Sequence, residues 1–217
     1  MSKISKISKI SKIKERPMLF SAPMVRDLLD GSKTQTRQAI KTESVLGHES
    51  FVTPRRKGSV HVYWIHREFD RKNMQDDCPH GQPGDKLWVR EAWSHDAENL
   101  ERCRASHEDA MGGSYGPYYR ATEFAPDTLR WYPSIYMPRW ASRITLEIIS
   151  VRVERLQDIS EPDAMAEGVC AGDWEYDNGE GTESARESYQ RLWESINGPG
   201  SWDANPWVWV IEFKAVK

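Results

Sequence analysis

The run Ser32-Lys33-Thr34-Gln35-Thr36-Arg37 places an ammonium, hydroxyls and a guanidinium side by side directly after Gly31. Ala22 to Gly31 reads as a helix. Pro23 suits its first turn, Met24, Leu28 and Leu29 share a face, and Gly31 can end it in a left-handed conformation. A polar turn after a helix stop is where side chains meet solvent or a ligand. A second group combines Trp88, Trp93, Trp131, Trp140, Trp207 and Trp209 with Arg90, Arg139 and Arg143. Aromatic faces stack nucleobases and cations follow phosphates, although alternation along the last strand assigns Trp207 and Trp209 to the core. Arg55, Arg56, Lys57 and Arg67, interleaved with Tyr63 and Trp64, form the densest basic-aromatic stretch, which reads either as a nucleic-acid contact or as a solvated loop. Cys78-Pro79-His80 offers one loose ligand pair where zinc sites normally present two close ones, so no metal is expected. No Gly-rich phosphate loop and no paired-histidine helix motif occurs, and no cofactor is expected.

These groups need a scaffold, and 217 residues with 38% hydrophobic and 11% aromatic content are enough for one cored domain. Residues 1–16 carry four Ser-Lys-Ile copies, whose three-residue period fits neither helix nor strand; a disordered basic tail is expected. The single domain expected over 17–217 starts with a short strand at Pro17–Phe20. Two insertions are expected at about 41–80 and 94–135, with Lys41 to Lys57 loop-like and a strand at Val60–Ile65. Lys86 to Trp93 alternates, placing Leu87, Val89 and Glu91 on one face and Trp88 and Arg90 on the other. Ser142 to Leu156 alternates with a register shift near Ile149-Ser150, predicting one long strand bent by a bulge. Ser160 with Asp163 opens a helix that Gly168 closes. Glu183 to Ile196 is a second amphipathic helix, and Pro206 to Val216 a final strand. Short strands and short helices at irregular spacing predict an α+β fold built on a small mixed β-barrel with flanking short helices.

The net charge of −3 hides a polarity: +6 from Met1 to Val153 and −9 from Glu154 to Lys217. The first part can face phosphates and the second cannot easily do so. No run of about 18 apolar residues is present, so no membrane partner is expected and a cytoplasmic location is. Three cysteines are an odd number for a disulfide framework.

In order along the chain, Leu28–Arg37, Gly84–Glu91, Arg143–Ile148, Asp163–Gly168 and Val210–Phe213 resemble the motifs of the ASCH-domain family, within the PUA-like superfamily of small β-barrels. Met137–Arg143 and Trp202–Trp207 add a similarity to ASCH proteins carried by phages and prophages, which would place the protein in the bacterial host cytoplasm. The resemblance implies recognition of a nucleoside or of RNA or DNA. It also implies, from the small amidohydrolases of the family that deacetylate N(4)-acetylcytidine, catalytic roles for Lys33, Thr36 and Glu167. Amide hydrolysis needs a nucleophile, a base, an acid for the leaving amine and donors for the oxyanion. Thr36 or a water would attack, Lys33 would take the proton and Glu167 would pass it to the amine. Arg37, Trp88, Arg90, Glu91, Arg139, Trp140 and Arg143 are the expected substrate contacts. Two further readings stay open: a noncatalytic nucleic-acid-binding regulator or phage counter-defence protein, and a single-strand ribonuclease. The chain departs from the enzymes in its greater length, in its two insertions and in the basic residue after the turn, which is set one position differently.

Overall fold

Five strands, at Glu15–Leu19 (β1), Gln35–Ala39 (β2), Lys86–Arg90 (β6), Thr145–Arg155 (β9) and Trp207–Val216 (β12), form the central sheet of the computed structural model. The structure describes residues 13–41, 43–45, 48–54, 60–64, 72, 74–95, 117–122, 129–170, 172–176 and 179–216. Strand order is β1-β6-β9-β12-β2, with β1 parallel to β6 and all other pairs antiparallel. The fold is therefore α+β around a mixed sheet. Among the described residues the sheet is open, with β1 and β2 at its edges.

β12 lies inside the sheet, between β9 and β2, and its sequence tolerates burial on both faces: Trp207, Val208, Trp209, Val210, Ile211 and Phe213 are all buried. Trp207, Trp209, Ile211 and Phe213 enter the main core with Leu87, Val89, Leu146 and Ile148. Val208 and Val210 face a second core with Leu156, Tyr189, Trp193 and Trp202. Along β9 the register skips one residue: Glu212 pairs with Ser150 and Phe213 with Ile148. Ile149 is the extra residue, pushed out to 52% exposure, so the expected bulge lies where the alternation broke.

Three helices complete this frame: Ala22–Asp30 (α1), Glu161–Ala166 (α2) and Ala185–Asn197 (α3). Gly31, at φ 87°, stops α1 as expected. Its buried face is Val25 and Leu28, with Met24 packed against the same core as expected, whereas Leu29 points outward at 49% exposure. Ser160 caps α2 by accepting from the Asp163 amide. Ser184 and Glu187 close a reciprocal capping box at the start of α3, fixing its entry.

Three expectations change. β1 begins at Glu15, inside the segment expected as tail, because Asp85 accepts from the Lys14 amide and pairs with Arg16 at 2.9 Å. The 41–57 stretch is not all loop: Glu43–Val45 (β3), His48–Pro54 (β4) and Val60–Trp64 (β5) form a three-stranded antiparallel sheet. Phe51 and Val52 are adjacent, so no alternating pattern announced it. The polar turn after Gly31 is in fact a bridge followed by strand β2, whose Gln35, Thr36 and Arg37 are buried. Two small antiparallel pairs, Trp93–Ser94 (β7) with Tyr118–Tyr119 (β8) and Gly172–Tyr176 (β10) with Gly179–Glu183 (β11), complete the described strands. Among the described residues no helix is long and apolar enough to cross a membrane.

Candidate functional site

Polar residues on β2 survive burial because α2 brings carboxylates to them. Lys33 and Glu167, 134 positions apart, form a backbone bridge. Its companion bonds run from the Thr34 amide to the Ala166 carbonyl and from the Phe213 amide to the Thr34 carbonyl. The strand start is thus fixed between α2 and β12. Within this frame Lys33 Nζ donates to the Glu167 carbonyl at 2.7 Å and to Glu167 Oε2 at 2.9 Å. The Lys33 side chain is 0% exposed and that of Glu167 is 3% exposed. Unpaired, either charge would be very costly there; paired and hydrogen-bonded, both are tolerated.

Arg37, four residues further along the same strand face, grips the other oxygen, Glu167 Oε1, at 3.1 Å. It also reaches Glu154 at 3.4 Å and Asp163 at 3.5 Å. Arg152 binds Asp163 at 2.9 Å and also Glu154, Glu212 and Gln35. Burial pushes the Asp163 carboxyl up, but the Ser160 hydrogen bond and the charges of Arg152 and Arg37 together outweigh it and hold it below the usual range. The result is a network of alternating charges under the junction of β2, β9 and α2.

One end of this network opens to a cavity of about 370 Å³. Thr36, Arg37 and Glu167 line it together with the uncharged polar residues Ser21, Gln38, Ser134 and Asn197; Phe20, Met24, Tyr189, Leu192 and Trp193 form much of the rest. That combination of apolar walls with a few convergent polar groups is the usual character of a small-molecule site. Lys33 is not on the wall and reaches it only through Glu167. The Thr36 hydroxyl makes no hydrogen bond with any described residue. Tyr189 sits beneath the Arg37 guanidinium, 6.0 Å from ring centre to Cζ. Burial first, then the nearby Glu167 charge, push its phenol well above the ordinary value, with Arg37 opposing.

The remaining expected contacts lie elsewhere. Arg143 forms a two-pronged pair with buried Glu91 at 2.9 and 3.0 Å and stacks 3.9 Å over Tyr119. Trp140 packs edge-on against Trp93 at 5.7 Å. Trp88 carries Arg90 and Arg139 over its ring at 5.2 and 5.9 Å; Arg139 also pairs with Glu15 at 3.0 Å. Arg90 donates to the Met137 and Ile135 carbonyls, anchoring the segment whose Ser134 borders the cavity. None of these six residues lies on the cavity wall. Arg55, Arg56, Lys57 and Arg67 lie outside the described residues.

Sequence reasoning did not select Tyr189 or Trp193 for the site. Both belong to the apolar face of the expected amphipathic helix, and nothing local tells which buried aromatic borders a cavity. Cys78 is buried, and its thiol is pushed up to about 11 by that burial. Among the described residues no group of three or more His, Cys, Asp or Glu is placed to hold a metal ion. No family model matches this chain, and neither the curated proteins nor the solved structures contain a match to it.

Proposed function

We propose that the β2–α2 cavity is a nucleobase-recognition site of the ASCH type, in a PUA-like fold, and that it hydrolyses the exocyclic amide of an N(4)-acylated cytidine or related modified nucleoside. The observation that carries this reading is the buried Lys33–Glu167 pair, at 2.9 Å, whose Glu167 lies on a cavity wall that also holds the Thr36 hydroxyl, unbonded to any described residue. Lys33 passes a proton to Glu167 across their hydrogen bond and becomes a neutral amine. Set behind Glu167 and off the cavity wall, it then takes the Thr36 proton through a water as the threonine oxygen attacks the acyl carbon. Glu167 returns its proton to the exocyclic nitrogen as the carbon–nitrogen bond breaks. Water then releases the acid from the acyl-threonine, regenerating the hydroxyl. Arg37 holds Glu167 in place from the opposite oxygen, so it is a positioning residue.

The test is incubation with N(4)-acetylcytidine, followed by chromatography. Cytidine release by the wild type and its loss in Thr36→Val, which keeps the side-chain shape, is the expected result. No release by folded wild-type protein overturns the amidohydrolase reading. A noncatalytic nucleic-acid binder is favoured by a different observation, the Trp88 ring flanked by Arg90 and Arg139. That reading predicts oligonucleotide binding that weakens steeply with salt and is lost in Trp88→Ala.

A further inference from the structure

We propose that Tyr189, on α3, is the donor that holds the carbonyl oxygen of the ligand in this cavity and stabilises its developing negative charge; the substrate named rests on the reading above. Tyr189 is 3% exposed, and buried phenols normally find a partner. Its hydroxyl makes no hydrogen bond with any described residue. Nor is that oxygen among the enclosed unpartnered atoms, which include Arg37 Nε and Trp193 Nε1. Tyr189 is a residue of the cavity wall, so the cavity is where we place the partner of this unpaired and unsealed oxygen.

Geometry then assigns the role. The ring is held on three sides, by Trp193 at 6.3 Å, Trp202 at 6.3 Å and the Arg37 guanidinium at 6.0 Å. A rigid donor costs little to orient when charge develops on its acceptor. The other charged groups of the site are already committed: both Glu167 oxygens are occupied by Lys33 and Arg37, and Arg37 is shared among three carboxylates. The ligand therefore meets a neutral donor rather than an uncompensated cation, and the matching group is an uncharged carbonyl. The surrounding wall of Phe20, Met24, Leu192 and Trp193 suits the apolar remainder of the molecule. The phenol proton stays on Tyr189 throughout; no bond to oxygen is broken.

The experiment compares wild type and Tyr189→Phe with N(4)-acetylcytidine, by turnover and by equilibrium titration of tryptophan fluorescence. Because the hydroxyl has no partner among the described residues, Tyr189→Phe should unfold at or above the wild-type temperature. It should lower kcat by about 10²-fold or more while changing KM by less than about threefold, as removal of one oxyanion donor does. Equal kcat in the two proteins, or a lowered unfolding temperature in the variant, overturns the proposal. If the wild type binds without turnover, the amidohydrolase reading fails separately. The donor role then stands only if Tyr189→Phe binds at least about fivefold more weakly. Absence of both binding and turnover in the wild type overturns both.

Discussion

Breaking the Lys33–Glu167 pair from either side should give unequal losses of stability, and the inequality can be worked from the contacts. In Glu167→Gln, Lys33 keeps the residue 167 carbonyl at 2.7 Å but loses the carboxylate that neutralised it. Arg37, also 0% exposed at its side chain, retains Glu154 and Asp163 at 3.4 and 3.5 Å. An ammonium is left buried beside a guanidinium, and the expected cost is about 3–5 kcal/mol. In Lys33→Met, by contrast, Glu167 stays paired to Arg37 at 3.1 Å, so the remaining charge is compensated. The expected cost is then about half as large, roughly 2 kcal/mol, partly offset by the apolar stem that Met retains. The double variant should cost less than the two singles together, since it leaves neither an unpaired carboxylate nor an unpaired ammonium. Urea unfolding at 25 °C measures all three, with the slope against denaturant unchanged. Repeating the series in 1 M salt, where screening extends only about 3 Å, should leave the differences intact because solvent ions do not reach the pair. Losses below about 1 kcal/mol in both single variants, or losses that vanish in salt, would refute the buried pair. Such an outcome would also remove the basis for Lys33 as proton carrier.

Two further outcomes test the frame around the site. Gly168 ends α2 at φ 92°, and a Cβ there would lie 3.0 Å from Asp27 Oδ2 and 3.1 Å from Asp27 Cβ on α1. Gly168→Ala should therefore cost about 2 kcal/mol, lowering the unfolding temperature by roughly 4–8 °C in a scanning-calorimetry trace. Burial pushes the Asp85 carboxyl up, but the Lys14 and Gln82 amides and Arg16 together outweigh it and hold it below the usual 3.8. A depressed folded-state value means that its stabilisation is full above about pH 3.8 and disappears as pH falls through the lower folded value. Asp85→Asn should consequently unfold below the wild type at pH 7, and the gap should narrow in acid; a gap independent of pH from 7 to 2 would contradict this account.

Much of the scaffold is legible in the sequence, because the signals that place it are local. Alternation in Trp207–Val216 reads as a strand whichever partners it meets, and the break at Ile149 has one cheap solution, an extra outward residue. Ser160 and Gly31 act on backbone groups within a few residues, so their roles follow from chemistry and spacing alone. Of the 43–64 sheet, β5 matches the strand expected at Val60–Ile65, but β3 and β4 escaped because they lack alternation and strand pairing rather than a local pattern defines them.

The candidate site divides in the same way. The residue types at Lys33, Thr36 and Glu167 are visible in the sequence, and their resemblance to a family pattern suggests what they would do. The sequence alone does not distinguish a solvated turn from a buried ion-pair network, since a polar run looks identical in both. Tertiary structure decides it: α2 approaches β2 closely enough for Glu167 to compensate Lys33 and Arg37, which turns three costly burials into one tolerable cluster. The same packing sets Tyr189 of α3 on the cavity wall while leaving Trp88 and Glu91 outside it. Local composition determines which side chains are available for chemistry; the packing of helices against the sheet edge decides which of them share a cavity.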